Sequence, residues 1–310
     1  SSCAICRKRR SLHALCRPAP RRKYQNGRSS PRRRTMKFGT QDQAFFPRDI
    51  LEKFRFIKDC GFEEYEIDGK LLIENIDTVK QAIKETGIPV VTACNGYDGW
   101  IGDFIEERRL NGVRQIAEIL RALSEVGGKG IVIPAAWGMF TYRLPPMVSP
   151  RSKEGDYKAV SESLRYLDKV AEETGTVIYL EPLNRYQDHM INLLADARHY
   201  IDSNQLKHVQ IIADFYHMNI EEDDISKALT TQKEYVGHIH LADNHRYQPG
   251  SGAIDFTRHF QTLLQNEYEG YMVYECRLRG ENEVKIYQES LQYLKNCLET
   301  ARHLNDLEKE

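Results

Sequence analysis

From Met36 onward, short apolar runs alternate with longer segments whose apolar residues recur at helical spacing. Apolar and β-branched runs that end at glycine, proline or a charge are typical of buried strands. They predict eight strands, at residues 37–41, 65–68, 89–94, 130–135, 176–181, 209–214, 236–242 and 270–276. The periodic segments predict amphipathic helices, around residues 48–60, 76–83, 113–123, 160–167, 194–201, 224–229, 256–264 and 287–298.

This alternation makes eight β-then-α units, which is the pattern of a single (β/α)8 TIM barrel over residues 36–310. A doubly wound open sheet is the alternative α/β fold, but no Gly-x-Gly-x-x-Gly turn follows the first strand. We therefore expect one α/β domain, a TIM barrel whose functional groups lie where its strands end.

Residues 1–35 mix Arg, Ser and Pro without apolar periodicity, which predicts a disordered basic leader. Cys3, Cys6, His13 and Cys16 could in principle hold zinc, but no predicted strand or helix frames these ligands. A transit peptide, which is also rich in Arg and Ser, and an upstream-translated leader are the other interpretations. Fold prediction therefore starts at Met36.

The charge of the chain is unevenly distributed. The first 35 residues carry 12 of the 44 basic residues and no acid, which leaves 32 basic against 45 acidic residues in the barrel. This acidic balance predicts no nucleic-acid partner, and no apolar run is long enough to predict a membrane span. The scattered cysteines favour reduced thiols in a cytoplasmic protein, for which we expect a homo-oligomer, either dimer or tetramer.

Four metal-type ligands lie at the ends of consecutive predicted strands. They are Glu181, Asp214, His240 and Glu275, separated by 33, 26 and 35 residues, each close to one β-α-β step. Because parallel strands of a barrel end at the same rim, these side chains are expected to meet. Three carboxylates and an imidazole favour one divalent ion, with Mn²⁺ preferred and Co²⁺ or Mg²⁺ as alternatives.

The segments that carry these ligands resemble the sugar isomerase/epimerase superfamily of xylose isomerase-like barrels. The resemblance lies in residues 180–185 (LEPLNR), 213–218 (ADFYHM), 237–243 (GHIHLAD) and 274–277 (YECR), and covers the whole barrel, roughly Met36 to Leu298. Within the superfamily, the sequence is most similar to ketose 3-epimerases of the D-tagatose/D-allulose type. The resemblance implies that the four ligands bind one metal and that His217 and Arg246 contact substrate oxygens.

One position departs from the ketose 3-epimerase pattern, which has a second glutamate six residues after the first. This chain has Gln187 there, a side chain that can hydrogen-bond a sugar hydroxyl but offers no charge. Trp137 follows the fourth strand, where its ring could pack on the sugar. His238 points the same way as His240 and is expected to pack inside the barrel, behind the ligand.

The expected reaction moves a proton next to a sugar carbonyl, most simply on a ketose, through an enediolate that the metal stabilises. Glu181 and Glu275 are the candidates for the base and the acid on opposite faces of the substrate. Because of Gln187, two alternatives stay open on a related carbonyl sugar, an inosose-type dehydratase or isomerase and a lyase. A DNA-repair endonuclease of the same superfamily would need several metals and a basic groove, which the acidic barrel disfavours.

Overall fold

The computed structural model describes residues 35–142 and 147–308, which belong to one compact unit. The predicted leader, with Cys3, Cys6, His13 and Cys16, lies outside the described residues apart from Thr35. Among the helices of the described ranges, none is both long and apolar enough to cross a membrane.

Seven parallel strands form one sheet. In chain order they are β1 (Met36–Thr40), β2 (Thr92–Cys94), β3 (Gly130–Pro134), β4 (Val177–Glu181), β5 (Val209–Asp214), β6 (Val236–Leu241) and β7 (Gly270–Tyr274). Their spatial order is β1-β7-β6-β5-β4-β3-β2, so the first and the last strands are neighbours. Seven of the eight predicted strands are therefore present in the described residues.

The eighth predicted strand, at residues 65–68, joins the sheet through isolated bridges only. Tyr65 pairs with Thr40 of β1, and Ile67 pairs with Ala93 of β2, so this segment links the two ends of the sheet. The segment is short because Asp68 already caps the next helix, accepting hydrogen bonds from the first backbone N–H groups. It nonetheless closes the barrel.

The strands alternate with ten helices in the described residues. These are α1 (Ile50–Asp59), α2 (Gly69–Glu74), α3 (Ile76–Thr86), α4 (Glu106–Glu125), α5 (Lys153–Thr174), α6 (Leu194–Ser203), α7 (Phe215–Glu221), α8 (Ile225–Thr231), α9 (Phe256–Gln265) and α10 (Glu283–Leu307). Gly87 and Gly175 end α3 and α5, with left-handed φ angles of 74° and 68°. The short helices α2 and α7 were not predicted.

The strands bury both of their faces, as parallel strands in α/β proteins do. Ile178 and Leu180 of β4 belong to the large apolar core between sheet and helices, while Tyr179 belongs to a second, small apolar cluster on the opposite face. This alternation determines which side chains point into the barrel. The parallel direction of the strands brings the last residues of β4 to β7 to one rim.

Candidate metal centre and active site

The four predicted ligands meet at the C-terminal rim of the barrel. Glu181 and Asp214 are the last residues of β4 and β5, His240 lies near the end of β6, and Glu275 directly follows β7. One donor atom from each lies within 4.8 Å of the other three. We call Glu181, Asp214, His240 and Glu275 the rim cluster.

His240 is the centre of this cluster. Its Nδ1 atom lies 2.9 Å from Glu275 Oε2, 3.7 Å from Glu181 Oε1 and 3.8 Å from Asp214 Oδ2. Glu181, Asp214 and His240 are buried, whereas the Glu275 side chain is 21% exposed and forms the solvent side. Three acidic side chains thus converge on one imidazole nitrogen.

The rim cluster fits a divalent cation. Glu181 Oε1 and His240 Nδ1 are buried and have no hydrogen-bond partner of acceptable geometry among the described residues. Buried polar atoms without partners are costly and rare in folded proteins, so these two atoms indicate a ligand. Carboxylate oxygens with one imidazole nitrogen suit hard to borderline divalent ions.

The two glutamates of the rim cluster differ in their electrostatic environment. Burial, together with the nearby Glu275 charge, raises the pKa of Glu181 to about 7. Burial also opposes ionisation of Glu275, but Arg246 and His240 outweigh it and hold the pKa of Glu275 well below its usual range. Near neutral pH, one carboxyl group can therefore carry a proton while the other is ionised.

Arg246 lies on the loop after β6 and reaches the rim cluster. Its Nη1 donates to Asp214 Oδ2 at 2.6 Å, and its Nη2 donates to Glu275 Oε2. The backbone at Arg246 has a left-handed φ of 68°, and its guanidinium stacks 4.7 Å from the centre of the Tyr216 ring. This conformation turns the side chain inward over the cavity.

His217 is buried in α7 and aims one nitrogen at the rim cluster. Its Nδ1 accepts hydrogen bonds from the Asn184 backbone N–H at 3.1 Å and from the Asn184 amide at 2.9 Å. The remaining proton is therefore on Nε2, which lies 3.9 Å from both Glu181 Oε1 and Asp214 Oδ2. Burial lowers the pKa of His217 to about 4, so the ring is neutral and offers one donor to the cavity.

A cavity of about 430 Å³ opens above the rim cluster. Its lining includes Cys94, Asn95, Trp100, Pro134, Trp137, Glu181, Leu183, Gln187, His217, Arg246 and Glu275. Trp137 is 56% exposed and lies at the mouth. The volume is within the range of small-molecule sites. Every residue predicted to contact metal or substrate therefore lies in this cavity or at its base.

A second cluster lies inside the barrel beneath the rim cluster. Glu66 Oε1 accepts from His240 Nε2 at 2.8 Å, and Glu66 Oε2 accepts from His238 Nε2 at 2.9 Å. Thr92 Oγ1 lies 2.6 Å from Glu66 Oε2 and 2.8 Å from Glu64 Oε1. We call Glu64, Glu66, Thr92 and His238 the inner cluster.

Sequence reasoning placed His238 in this interior but missed the acids of the inner cluster. The available signal was the spacing of Glu66, inside the predicted strand at residues 65–68, and Glu64, directly before it, because extended backbone directs both side chains to one face. Two acids on the inward face of a closed barrel require partners. That requirement would have pointed to the histidines of β6.

A family model, the xylose isomerase-like TIM barrel, matches residues 54–297. The chain is 68% identical over 262 residues to a 3-dehydro-D-guloside 4-epimerase of Escherichia coli strain K12, covering 84% of this chain and all of that protein. It is 31% identical over 180 residues to a D-psicose 3-epimerase of Enterocloster bolteae, covering 54% of this chain and 60% of that protein.

Comparison with solved structures also finds sugar epimerases. The crystal structure of 3-keto-D-glucoside 4-epimerase from E. coli, in apo form, matches with a TM-score of 0.84 at 68% identity, covering 85% of this chain and all of that chain. A D-psicose 3-epimerase structure with D-tagatose from Clostridium cellulolyticum H10 covers 85% of this chain and 99% of that one. It has a TM-score of 0.72 at 24% identity and supports the fold alone. The predicted TIM barrel and superfamily are confirmed.

Proposed function

The chain belongs to the xylose isomerase-like TIM barrel family and is a sugar epimerase or isomerase, and we propose that it inverts carbon 4 of a 3-keto-glycoside. The observation that supports carbon 4 as the reacting position is the 68% identity to a 3-dehydro-D-guloside 4-epimerase, which the match covers over that relative's whole length. Carbon 4 is next to the carbonyl of a 3-keto sugar. The reaction is therefore the proton transfer beside a carbonyl that the rim cluster suits.

Glu181, Asp214, His240 and Glu275 would hold one divalent ion, for which we propose Mn²⁺. When bound, the ion polarises the sugar carbonyl and stabilises the negative charge that develops there as the neighbouring proton leaves. The two buried atoms without partners, Glu181 Oε1 and His240 Nδ1, support this assignment.

Glu181 and Glu275 are proposed to exchange the proton at carbon 4. The two side chains come from separate strands and both line the cavity, so the reacting carbon can lie between them. In one direction the ionised Glu275 removes the proton, and the protonated Glu181 returns one to the opposite face. The two roles are exchanged in the reverse direction.

The remaining cavity residues are proposed to bind the sugar. His217 offers a neutral Nε2–H donor, and Arg246 offers guanidinium donors beside the rim cluster. The Gln187 amide can both donate to and accept from a hydroxyl. The exposed Trp137 ring at the mouth provides an apolar face for the sugar or its aglycone.

Gln187 also favours a substrate other than a free ketose. Ketose 3-epimerases have a glutamate at this place in the pattern, and a neutral amide cannot replace its charge.

Solvent exchange measured by NMR tests the position. The Mn²⁺-loaded protein is incubated in D₂O with methyl 3-dehydro-D-glucoside and, separately, with D-psicose. We expect deuterium at carbon 4 of the glycoside, together with the C4 epimer, and slower exchange at carbon 3 of D-psicose. The variant Glu181→Gln, under the same conditions, controls for uncatalysed exchange.

Three results would contradict the proposal. Exchange at carbon 2 of the glycoside would move the reaction to the other side of its carbonyl. Faster exchange at carbon 3 of D-psicose would make the protein a ketose 3-epimerase. Release of methanol would favour the lyase. Repeating the reaction with Co²⁺ and Mg²⁺ tests the preference for Mn²⁺.

The proposal extends to the assembly and the compartment. Residues 36–310 are proposed to be one barrel domain that functions as a cytoplasmic homo-oligomer, dimer or tetramer. Four cysteines without disulfide bonds, Cys60, Cys94, Cys276 and Cys297, fit a reducing compartment. Light scattering on the purified protein measures the oligomeric state.

A further inference from the structure

Glu66 is surrounded by four hydrogen-bond donors inside the barrel. Only 1% of the residue is exposed to solvent. Oε1 faces His240 Nε2 and Gln41 Nε2, both at 2.8 Å. Oε2 faces His238 Nε2 at 2.9 Å and Thr92 Oγ1 at 2.6 Å. An ionised carboxylate only accepts hydrogen bonds and has about four lone-pair sites. Glu66 is therefore saturated as a carboxylate.

This saturation determines which nitrogen of His240 carries a proton. Because Glu66 can only accept, Nε2 of His240 must be the protonated nitrogen. When the ring is neutral, the lone pair is then on Nδ1, on the side of the ring that faces the three acids of the rim cluster. A histidine binds a metal through an unprotonated nitrogen, and the hydrogen bond at its other nitrogen selects which one that is.

We propose that Glu66 is a positioning residue that fixes the tautomer and orientation of His240 and thereby makes the rim cluster competent to bind a divalent ion. This inference rests on the proposed metal-dependent function. Glu66 acts through His240. It is not one of the described residues that line the substrate cavity. The role is distinct from a second metal site between Glu66, His238 and His240, since both Glu66 oxygens already have two donors each.

The variant Glu66→Gln removes this function with almost no change in shape. An amide has one acceptor oxygen and one donor nitrogen, so it must turn its NH₂ group toward one of the two histidines. In one orientation His240 loses its acceptor. In the other orientation His238 must change its tautomer, and His240 keeps only a neutral partner. Loss of the carboxylate that accepts the hydrogen bond from a metal-binding histidine weakens metal binding by about 10- to 100-fold.

Glu64→Gln is the matched control. Glu64 lies two residues earlier in the same segment, is fully buried, and receives the same isosteric change. Its described hydrogen bonds run to Thr92 and not to a histidine. Burial and the neighbouring Glu66 raise the pKa of Glu64 to about 8, so its side chain is largely protonated at neutral pH. An amide therefore resembles it.

The experiment is a Mn²⁺ titration of metal-stripped wild-type, Glu66→Gln and Glu64→Gln proteins, in which EPR measures the free ion. Circular dichroism without metal checks that all three are folded. We expect binding weakened by about 10- to 100-fold in Glu66→Gln. Glu64→Gln is expected to bind like the wild type.

Equal Mn²⁺ affinity of Glu66→Gln and the wild type would overturn the inference and leave the proposed function intact. Equal weakening in both variants would also overturn it, because the effect would then belong to the barrel interior in general. A wild-type protein that binds no Mn²⁺ would overturn the proposed metal centre together with the inference.

A measurement on the wild type keeps the test valid if Glu66→Gln does not fold. Two-bond ¹H–¹⁵N spectra of the Mg²⁺-loaded, ¹⁵N-histidine-labelled protein report which ring nitrogens carry protons. We expect protons on Nε2 of His240 and His238. A proton on Nδ1 of His240 would overturn the inference.

Discussion

The rim cluster and the inner cluster are two groups of acids that share one histidine ring. His240 turns Nδ1 to the rim cluster and Nε2 to Glu66 of the inner cluster. At Glu66, every oxygen lone pair has a donor, whereas Glu181 Oε1 and His240 Nδ1 have no hydrogen-bond partner of acceptable geometry among the described residues. A buried carboxylate that is fully hydrogen-bonded is stable without a ligand, whereas buried polar atoms without hydrogen-bond partners indicate one.

Each cluster contains a carboxyl group with a raised pKa and one with a lowered pKa. In the inner cluster, burial raises the pKa of Glu64 to about 8, while the histidines overcome burial and lower the pKa of Glu66. In the rim cluster, the pKa of Glu181 is raised to about 7 and the pKa of Glu275 is lowered. Burial and neighbouring charges thus shift the pKa values in the same way in both clusters, but only one pair of acids faces the cavity. The inner pair is closed to the cavity, and the rim pair lines it.

Metal removal should have the largest effect on activity, because the rim cluster would lose its ligand and the inner cluster would not. Chelation followed by dialysis is expected to reduce turnover by roughly 10⁴-fold, equivalent to about 5–6 kcal/mol of charge stabilisation. Mn²⁺ added back at 100 times its dissociation constant should restore activity and raise the free energy of unfolding by about 2.7 kcal/mol. Steady-state rates and urea unfolding measure both effects. Full activity in protein shown to be metal-free by mass spectrometry would contradict the assignment.

Glu181→Gln should have the next largest effect. The amide can still contact a cation through oxygen but cannot carry the transferred proton, so turnover should fall by about 10³-fold. The measurement is the rate of deuterium incorporation at carbon 4. Glu107→Gln, an exposed position on α4, is the control and should be as active as the wild type. Normal exchange by Glu181→Gln with metal bound would remove Glu181 from the proton transfer.

Arg246→Lys should have an intermediate effect. The guanidinium reaches Asp214 and Glu275 with two separate nitrogens, whereas an ammonium group is a single point charge. We expect KM for the keto-glycoside to rise by roughly 10-fold with a smaller change in kcat. Arg185→Lys is the matched control, because Arg185 also donates two hydrogen bonds to one acid, Glu221, but is exposed. Equal kinetics for the two variants would argue against substrate contact by Arg246.

Glu64→Gln should change stability and leave activity nearly unaffected. The pKa of Glu64 rises from about 4.3 in the unfolded chain to about 8 in the folded protein. The folded state therefore holds a proton that the unfolded chain has lost, and wild-type stability falls as the pH rises through this window. The variant lacks this dependence.

Urea unfolding at pH 5.5 and pH 8 measures the consequence. Relative to the wild type, Glu64→Gln should be more stable at pH 8 than at pH 5.5, by on the order of 2–3 kcal/mol. Glu107→Gln should show no such pH-dependent difference. A constant difference between Glu64→Gln and wild type at both pH values would mean that Glu64 is ionised in the folded protein.

The sequence by itself determined the order of strands and helices and the identity of the rim cluster. Apolar runs that end in Glu181 and Asp214 are visible without a structure, and the spacing between them is one β-α-β step. Parallel strands joined by helices carry successive strand ends to the same rim, so a local pattern predicts a tertiary neighbourhood. That geometric rule is why these residues could be predicted.

Only the tertiary structure decided what surrounds His240. Glu66 is 174 residues away in the chain and meets the ring across the interior of the barrel. The left-handed turn at Arg246 and the capping of α7 by Asp214 likewise depend on how the loops fold over the rim. Hydrogen bonds between distant segments leave no periodic mark in the sequence, because they depend on barrel closure and not on local propensity. The rim cluster was therefore predictable, and the contact between Glu66 and His240 was not.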